Sequence, residues 1–232
     1  MKSKHSFLVF CLLIVIVSCS STVNYSEDFK KQTSGKYLFN ADDVIEISYQ
    51  DNDLVMHWRG IETKPVATDT NEFFVPDLYK KLRFVKHPFT NSRYLSEIPE
   101  NNPDSLRYDY IKVADTYKTP SEYIADKEFD KALEGLLKIK AQDSVSEFIN
   151  QYKFNRIGYK YLREKNYDDA IGIFVMNTKL HPQSDNTFDS LADAYVKKGD
   201  SLLAYENYKK ALEINQTNKK AFKFVNAYES GN

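Results

Sequence analysis

Glycine and proline are scarce in this chain, seven of each in 232 residues. That excludes collagen-like, linker-rich and turn-dominated β architectures. Only two cysteines are present, Cys11 and Cys19, both near the start, so no disulfide is available to staple the rest. The four histidines, at 5, 57, 87 and 181, are scattered and form no His-Glu-x-x-His, which leaves a zinc site without ligands. Neither sign of charge is in excess: the formal net is −1. A protein that neutralises many phosphates carries a basic footprint, so nucleic acid is excluded as a partner. The longest apolar run, Phe7 to Val17, covers eleven residues, short of the roughly 20 that a membrane-crossing helix needs. Gly172 and Gly199 stand alone, so there is no glycine-rich phosphate loop. Abundance lies in the aromatics, 17 Tyr and 15 Phe, which supply large packing surfaces. No catalytic residue, cofactor or metal is expected.

The first 19 residues run from Lys2 and Lys4 through the apolar stretch to Ser18-Cys19, the layout of a secretory signal peptide. Ile16-Val17-Ser18-Cys19 resembles the lipobox of bacterial lipoproteins. That resemblance implies cleavage before Cys19, attachment to its thiol of a diacylglycerol bearing chains such as palmitate, and anchoring to a membrane through Cys19. The competing reading is an ordinary signal peptide whose cysteine is incidental. Residues 1–18 are therefore expected to be the signal and 19–34 a polar tether. Ser20 after the cysteine fits sorting to the outer membrane of a bacterial cell envelope. Removing the signal leaves 30 basic against 33 acidic residues, a net of −3.

Residues 35–96 alternate with period two. Ile45, Ile47 and Tyr49 precede the turn Asp51-Asn52-Asp53, and Leu54, Met56 and Trp58 follow it, as in a β-hairpin. Further short strands are expected at Tyr37–Asn40, Lys64–Ala67, Glu72–Val75 and Leu82–Val85, giving a small antiparallel barrel or curved sheet. Alternation puts Trp58 toward the core and His57 toward the surface. Lys80, Lys81 and Arg83 could meet anionic headgroups, but such a run reads more simply as a solvated strand edge. The prolines at 88, 99 and 103 mark a connector, taken as 97–119.

From 120 to 232 apolar residues fall at helical spacing. Aligning each residue with the one 34 further on pairs Phe154 with Phe188, Ile157 with Leu191, Gly158 with Ala192, Tyr161 with Tyr195, Ala170 with Ala204 and Phe174 with Tyr208. This pattern resembles the tetratricopeptide repeat, with copies at about 151–184 and 185–218. The small residues Gly158, Ala170, Ala192 and Ala204 let paired helices approach, while Tyr161, Phe174, Tyr195 and Tyr208 fill the space beside them. Asn177, where a small residue is usual, and Gln216, where the proline is missing, depart from the pattern. Two copies are too few for a stable stack, so a degenerate pair at Ser121–Ala141, with Ala132 in the small position, and a final helix 219–228 are expected to cap it. The resemblance implies a concave groove lined by Tyr152, Asn155, Tyr159 and Leu162 from one copy and Asn186, Asp189, Asp193 and Val196 from the next. The plainer alternative is that the tyrosines cover a neighbouring helix and the acids are solvated or cap a helix, Asn186 and Asp189 among them.

The strings Asn155–Tyr159, Asp168–Phe174 and Phe188–Tyr195, with Gly35–Tyr37, Leu54–Trp58 and Asn71–Phe74 upstream, are similar to the β-domain and repeat tail of secreted beta-lactamase-like serine hydrolases. Their chemistry needs Ser-x-x-Lys, and this chain has neither that nor Gly-x-Ser-x-Gly. Architecture carries over without activity. The expected fold class is thus α+β, a small β-domain packed on a helical stack. The expected role is a lipid-anchored, non-enzymatic module that binds a protein or peptide. Alternatives are an accessory or regulatory subunit of a serine hydrolase encoded elsewhere, and a small-ligand carrier using the β interior around Tyr37, Phe39, Met56 and Trp58.

Overall fold

Alternation builds the first half. In the computed structural model, which describes residues 23–231, nine strands are preceded by α1 (Glu27–Thr33): β1 (Gly35–Asn40), β2 (Asp43–Gln50), β3 (Asp53–Trp58), β4 (Ile61–Thr63), β5 (Val66–Ala67), β6 (Glu72–Val75), β7 (Lys80–Lys86), β8 (Arg93–Glu97) and β9 (Tyr110–Ile111). All pairings are antiparallel. The hairpin falls as its pattern requires, with Ile45 opposite Trp58, Ile47 opposite Met56 and Tyr49 opposite Leu54.

The sheets are two, β1 to β4 and β5 to β9, rather than a closed barrel. They touch through the bridge between Tyr37 and Lys112 and the Val113 N–H to Lys36 carbonyl bond of 2.9 Å. On the other side, Pro65 sits between β4 and β5, which do not pair; proline cannot donate to a ladder. One interior spans both sheets, with Tyr37, Ile45, Ile47, Met56, Phe73, Leu82 and Leu95 all buried. The expected tether ends sooner than residue 34. Ser26 caps α1, accepting from the Phe29 N–H at 3.2 Å, and Glu27 and Asp28 occupy its positive first turn. Tyr25 and Thr33 are buried, so this segment closes one end of the sheets. The sheet also extends past the proline-marked segment: β8 buries Leu95 and Ser96 there, and β9 lies within the expected connector. The basic run is not an edge. It lies on β7, the middle strand of five, with Lys80 paired to Glu97 and Arg83 3.7 Å from Glu72.

Helical spacing builds the second half: α2 (Pro120–Ala125), α3 (Phe129–Gln142), α4 (Gln151–Arg163), α5 (Tyr167–Leu180), α6 (Asp185–Lys198), α7 (Ser201–Ile214) and α8 (Lys219–Gly231). Each pair turns over the same bond. The N–H of Glu128, Asn166 and Asp200 donates to the carbonyl of Tyr123, Tyr161 and Tyr195 at 2.8, 2.9 and 2.9 Å. The residue before each, Lys127, Lys165 and Gly199, is left-handed. The pair α2–α3 is therefore a repeat in its own right, offset by 38 rather than 34 residues. At that offset Ala132 matches Ala170 and both are fully buried. A Cβ on Gly158 would lie 2.5 Å from the Phe174 ring, and one on Gly172 2.3 Å from Phe129, so α4–α5 and α3–α5 approach as closely as glycine allows. The two halves meet where Ala41 packs on the α3 cluster and the Asp42 carboxylate accepts from the Ser121 N–H at 2.7 Å.

Candidate functional site

The inner helices α4 and α6 carry the expected groove residues, beside the inner helix α8, but not in one role. Tyr152 is 66% exposed and Val196 41%, Asn186 is exposed and Leu162 half-buried. Asn155 and Asp189 are buried, and Tyr159 and Asp193 are half-buried. Those four belong to a polar seam that binds one inner helix to the next.

The seam starts at Asn177 on α5, whose side-chain amide donates to Asn155 Oδ1 at 2.9 Å and to the Gln151 carbonyl at 3.0 Å. Asn155 donates in turn to Asn186. One turn along, the Tyr159 hydroxyl donates to Asp193 at 2.7 Å and reaches Ser190 at 3.3 Å. Asp193 also accepts from Tyr208 at 2.5 Å and from Lys220 at 2.7 Å. Lys220 pairs with Asp189 as well, and Asn218 donates to that carboxylate at 3.2 Å. Asn186 and Asp189 are thus interhelix partners rather than helix caps.

Burial raises the Asp189 carboxyl above the usual range despite Lys220. It pushes the Tyr159 hydroxyl up to about 12, and burial with the Asp193 bond raises Tyr208. Lys220 is desolvated too, but its two carboxylate partners outweigh that and hold its pKa up. The seam thus joins two aspartates, one lysine and two phenols across neighbouring helices, an arrangement suited to fixing helix spacing.

Three of its links share one separation. Asn155 to Asn186, Tyr159 to Ser190 and Asp189 to Lys220 are each 31 residues apart. A search for polar pairs at 31, three short of the apolar period, would have found Ser190 and Lys220, which the apolar alignment passes over. Gly158, Ala170, Phe174, Ala192, Ala204 and Tyr208 are buried, with Tyr161 and Tyr195 half-buried against them.

The β interior is filled by side chains. Tyr37 and Met56 are buried, the Tyr37 hydroxyl donates to the Thr33 carbonyl at 2.8 Å, and Phe39 packs on Trp58 at 4.7 Å. Trp58 also donates to Asp43 at 3.1 Å. A ligand carrier needs a cavity there, and Tyr25 and Phe29 close the end where one would open. His57 lies at the surface, 3.7 Å from Glu62. Asp168 and Asp169 fall in the first turn of α5 and pair with Lys198 and Lys127. Among the described residues no three His, Cys, Asp or Glu side chains gather as a metal site would require, and no helix is long and apolar enough to cross a membrane. Cys19 lies outside the described residues.

No protein-family model matches the chain. It is 35% identical over 68 residues to the tetratricopeptide repeat domain-containing protein PYG7 of Arabidopsis thaliana, covering 29% of this chain and 23% of that one. Over that stretch the helical half is similar to tetratricopeptide repeats. Heat shock protein STI1 of Saccharomyces cerevisiae is 34% identical over 109 residues, 47% of this chain and 18% of that one. The chain thus spans about a fifth of the length of these curated relatives. Among solved structures, the first repeat domain of human RPAP3 is 16% identical, with a TM-score of 0.34 over 48% of this chain and 84% of that one. The Sgt2 repeat domain of Aspergillus fumigatus is 17% identical, also at 0.34, over 48% and 73%.

Proposed function

We propose that this chain is a lipid-anchored, non-enzymatic interaction module that holds an extended segment of another protein along the inner face of its tetratricopeptide-type stack. The observation that carries the reading is the division of labour on that face. The polar seam, Asn186 included, sets the spacing of α4, α6 and α8, while Tyr152 and Val196 are left exposed beside it. Helix α4 adds Arg156, Lys160 and Arg163, all exposed and none paired with a carboxylate among the described residues. A face already fixed before binding loses little conformational entropy when a partner arrives. What supports the anchor is the signal layout ending at Cys19, and with it a place in the bacterial cell envelope, at the outer membrane.

The test places a photo-crosslinking residue at Tyr152, Val196 or Leu202 of the full chain in cells. Leu202, on α7, is exposed but lies on an outer helix. Discrete adducts at 152 and 196 with none at 202 are expected. Equal labelling at all three, or none at any, overturns the groove.

A further inference from the structure

The turn joining β7 to β8 holds an aromatic side chain in the open. Phe89 is 92% exposed, yet the backbone that carries it is well fixed. The His87 N–H donates to the Ser92 carbonyl at 2.8 Å, and His87 Nδ1 accepts from the Phe89 and Thr90 N–H groups at 3.3 and 3.2 Å. Behind the tip the His87 ring lies 4.7 Å from Tyr108, which meets Tyr94 edge-on at 5.3 Å. Lys86 and Arg93 pair across the foot of the turn, and exposed Leu106 and Arg107 directly precede Tyr108 in the chain, with Arg107 paired to Asp109 at 2.8 Å.

This tip stands at the end of the β half where the chain enters. Arg93 contacts Gln32 at the end of α1, and Lys112 Nζ donates to the Gln32 carbonyl at 3.0 Å. At the other end of that short helix, Asn52 donates to the Val23 carbonyl at 2.6 Å. Three residues separate Val23 from Cys19, a reach of about 14 Å at most. We infer that the β7–β8 tip is a membrane contact: Phe89 enters the headgroup region of the bilayer that holds the lipidated Cys19, and Lys86, Arg93 and Arg107 face its anionic lipids. The inference rests on the anchor reading. A second protein would suit an apolar tip equally, but only a bilayer is brought to this end by the chain's own attachment.

The mature lipidated chain has no free thiol, so Phe89→Cys creates a single site for a nitroxide label. The labelled chain is reconstituted into vesicles of phosphatidylethanolamine and phosphatidylglycerol, beside a Phe222→Cys control on α8, where Phe222 is 56% exposed. At 89 the label is expected to become more accessible to oxygen than to a water-soluble nickel complex, while at 222 that preference is reversed. Equal nickel accessibility at the two sites overturns the contact, as does protection of 89 from both reagents, which means a protein covers it. If the unsubstituted chain takes up label, Cys19 is not lipidated, and the anchor falls with this orientation.

Discussion

The two halves hold themselves together by different means. The β half has one apolar and aromatic interior to which both sheets contribute, from Tyr37 on β1 to Leu95 on β8. The helical half divides into smaller apolar clusters, and a polar seam runs between its inner helices. Two sheets that meet through segments as distant as Tyr37 and Lys112 depend on one shared core. A stack in which each repeat touches only the next can place polar contacts at every joint.

The hardest blow to that distinction is a hole in the shared core. Leu95 is fully buried on β8, opposite Phe84 on one side and Tyr110 on the other. Leu95→Ala is expected to destabilise the chain by about 2–5 kcal/mol, the usual range for an unfilled leucine cavity. Urea unfolding followed by Trp58 fluorescence for the sheets and by helical circular dichroism for the stack checks it. If the halves depend on their contact at Ala41 and Asp42, both signals shift together. A shift in fluorescence alone would separate them.

Next in size is overpacking inside the stack. Gly158→Ala puts a methyl group against the Phe174 ring and is expected to cost about 1–3 kcal/mol. Phe174→Leu in the same chain makes room and should recover part of the loss. Failure to recover would mean that the α4–α5 spacing is not set at this contact.

How much of this was legible in the sequence follows the same division. The period of 34 is local, so Phe154, Gly158, Ala170 and their partners point to two repeats. The pair α2–α3 is expected from the helical spacing of 121–141 and from Ala132, while its offset of 38 keeps it out of the 34-residue alignment. The hairpin around Asn52 is legible because its strands are adjacent and alternate. Strand β8 is not, because prolines flank it and its burial depends on β7, while β4 has exposed residues and no alternation to read. Helix α1 is short and polar apart from Phe29, and only the open end of the sheets gives Tyr25 and Phe29 something to cover. On the inner face, five of the eight expected groove positions, Asn155, Tyr159, Asn186, Asp189 and Asp193, are engaged by neighbouring helices. A repeat pattern specifies which side a residue faces and is silent on whether its neighbour reaches it first.

The seam can be probed through its one cation. Lys220→Met leaves Asp189 and Asp193 facing each other without a counter-charge, at an expected cost of about 1 kcal/mol at neutral pH, since Lys220 is half-exposed and screened. The sign with pH is fixed by Asp189. Its folded pKa is already raised by burial and rises further once the ammonium is gone. Stability from such a group is present below the unfolded value and lost as pH rises through the folded one. The deficit of the variant should therefore be largest at neutral pH and shrink as pH falls into the carboxylate range. A deficit independent of pH would assign Lys220 a packing role only.

The smallest expected effect contrasts a neutral polar contact with that charged one. His181 ends α5, and its Nε2 lies 2.6 Å from the Ile149 carbonyl, tying the end of one repeat to the turn before α4. Burial lowers its pKa against the opposing pull of that carbonyl. The folded chain thus prefers the neutral ring, so the stability it contributes is present above the ordinary histidine range and is lost as pH falls through the lowered value. Unfolding free energy should fall with acidification across that window, and His181→Gln, which keeps a donor without a titrating ring, should flatten the slope there. The slope and the Lys220→Met deficit run in opposite directions with pH, so urea titrations of both variants at pH 5 to 7 separate a desolvated imidazole from a desolvated carboxylate in the same stack.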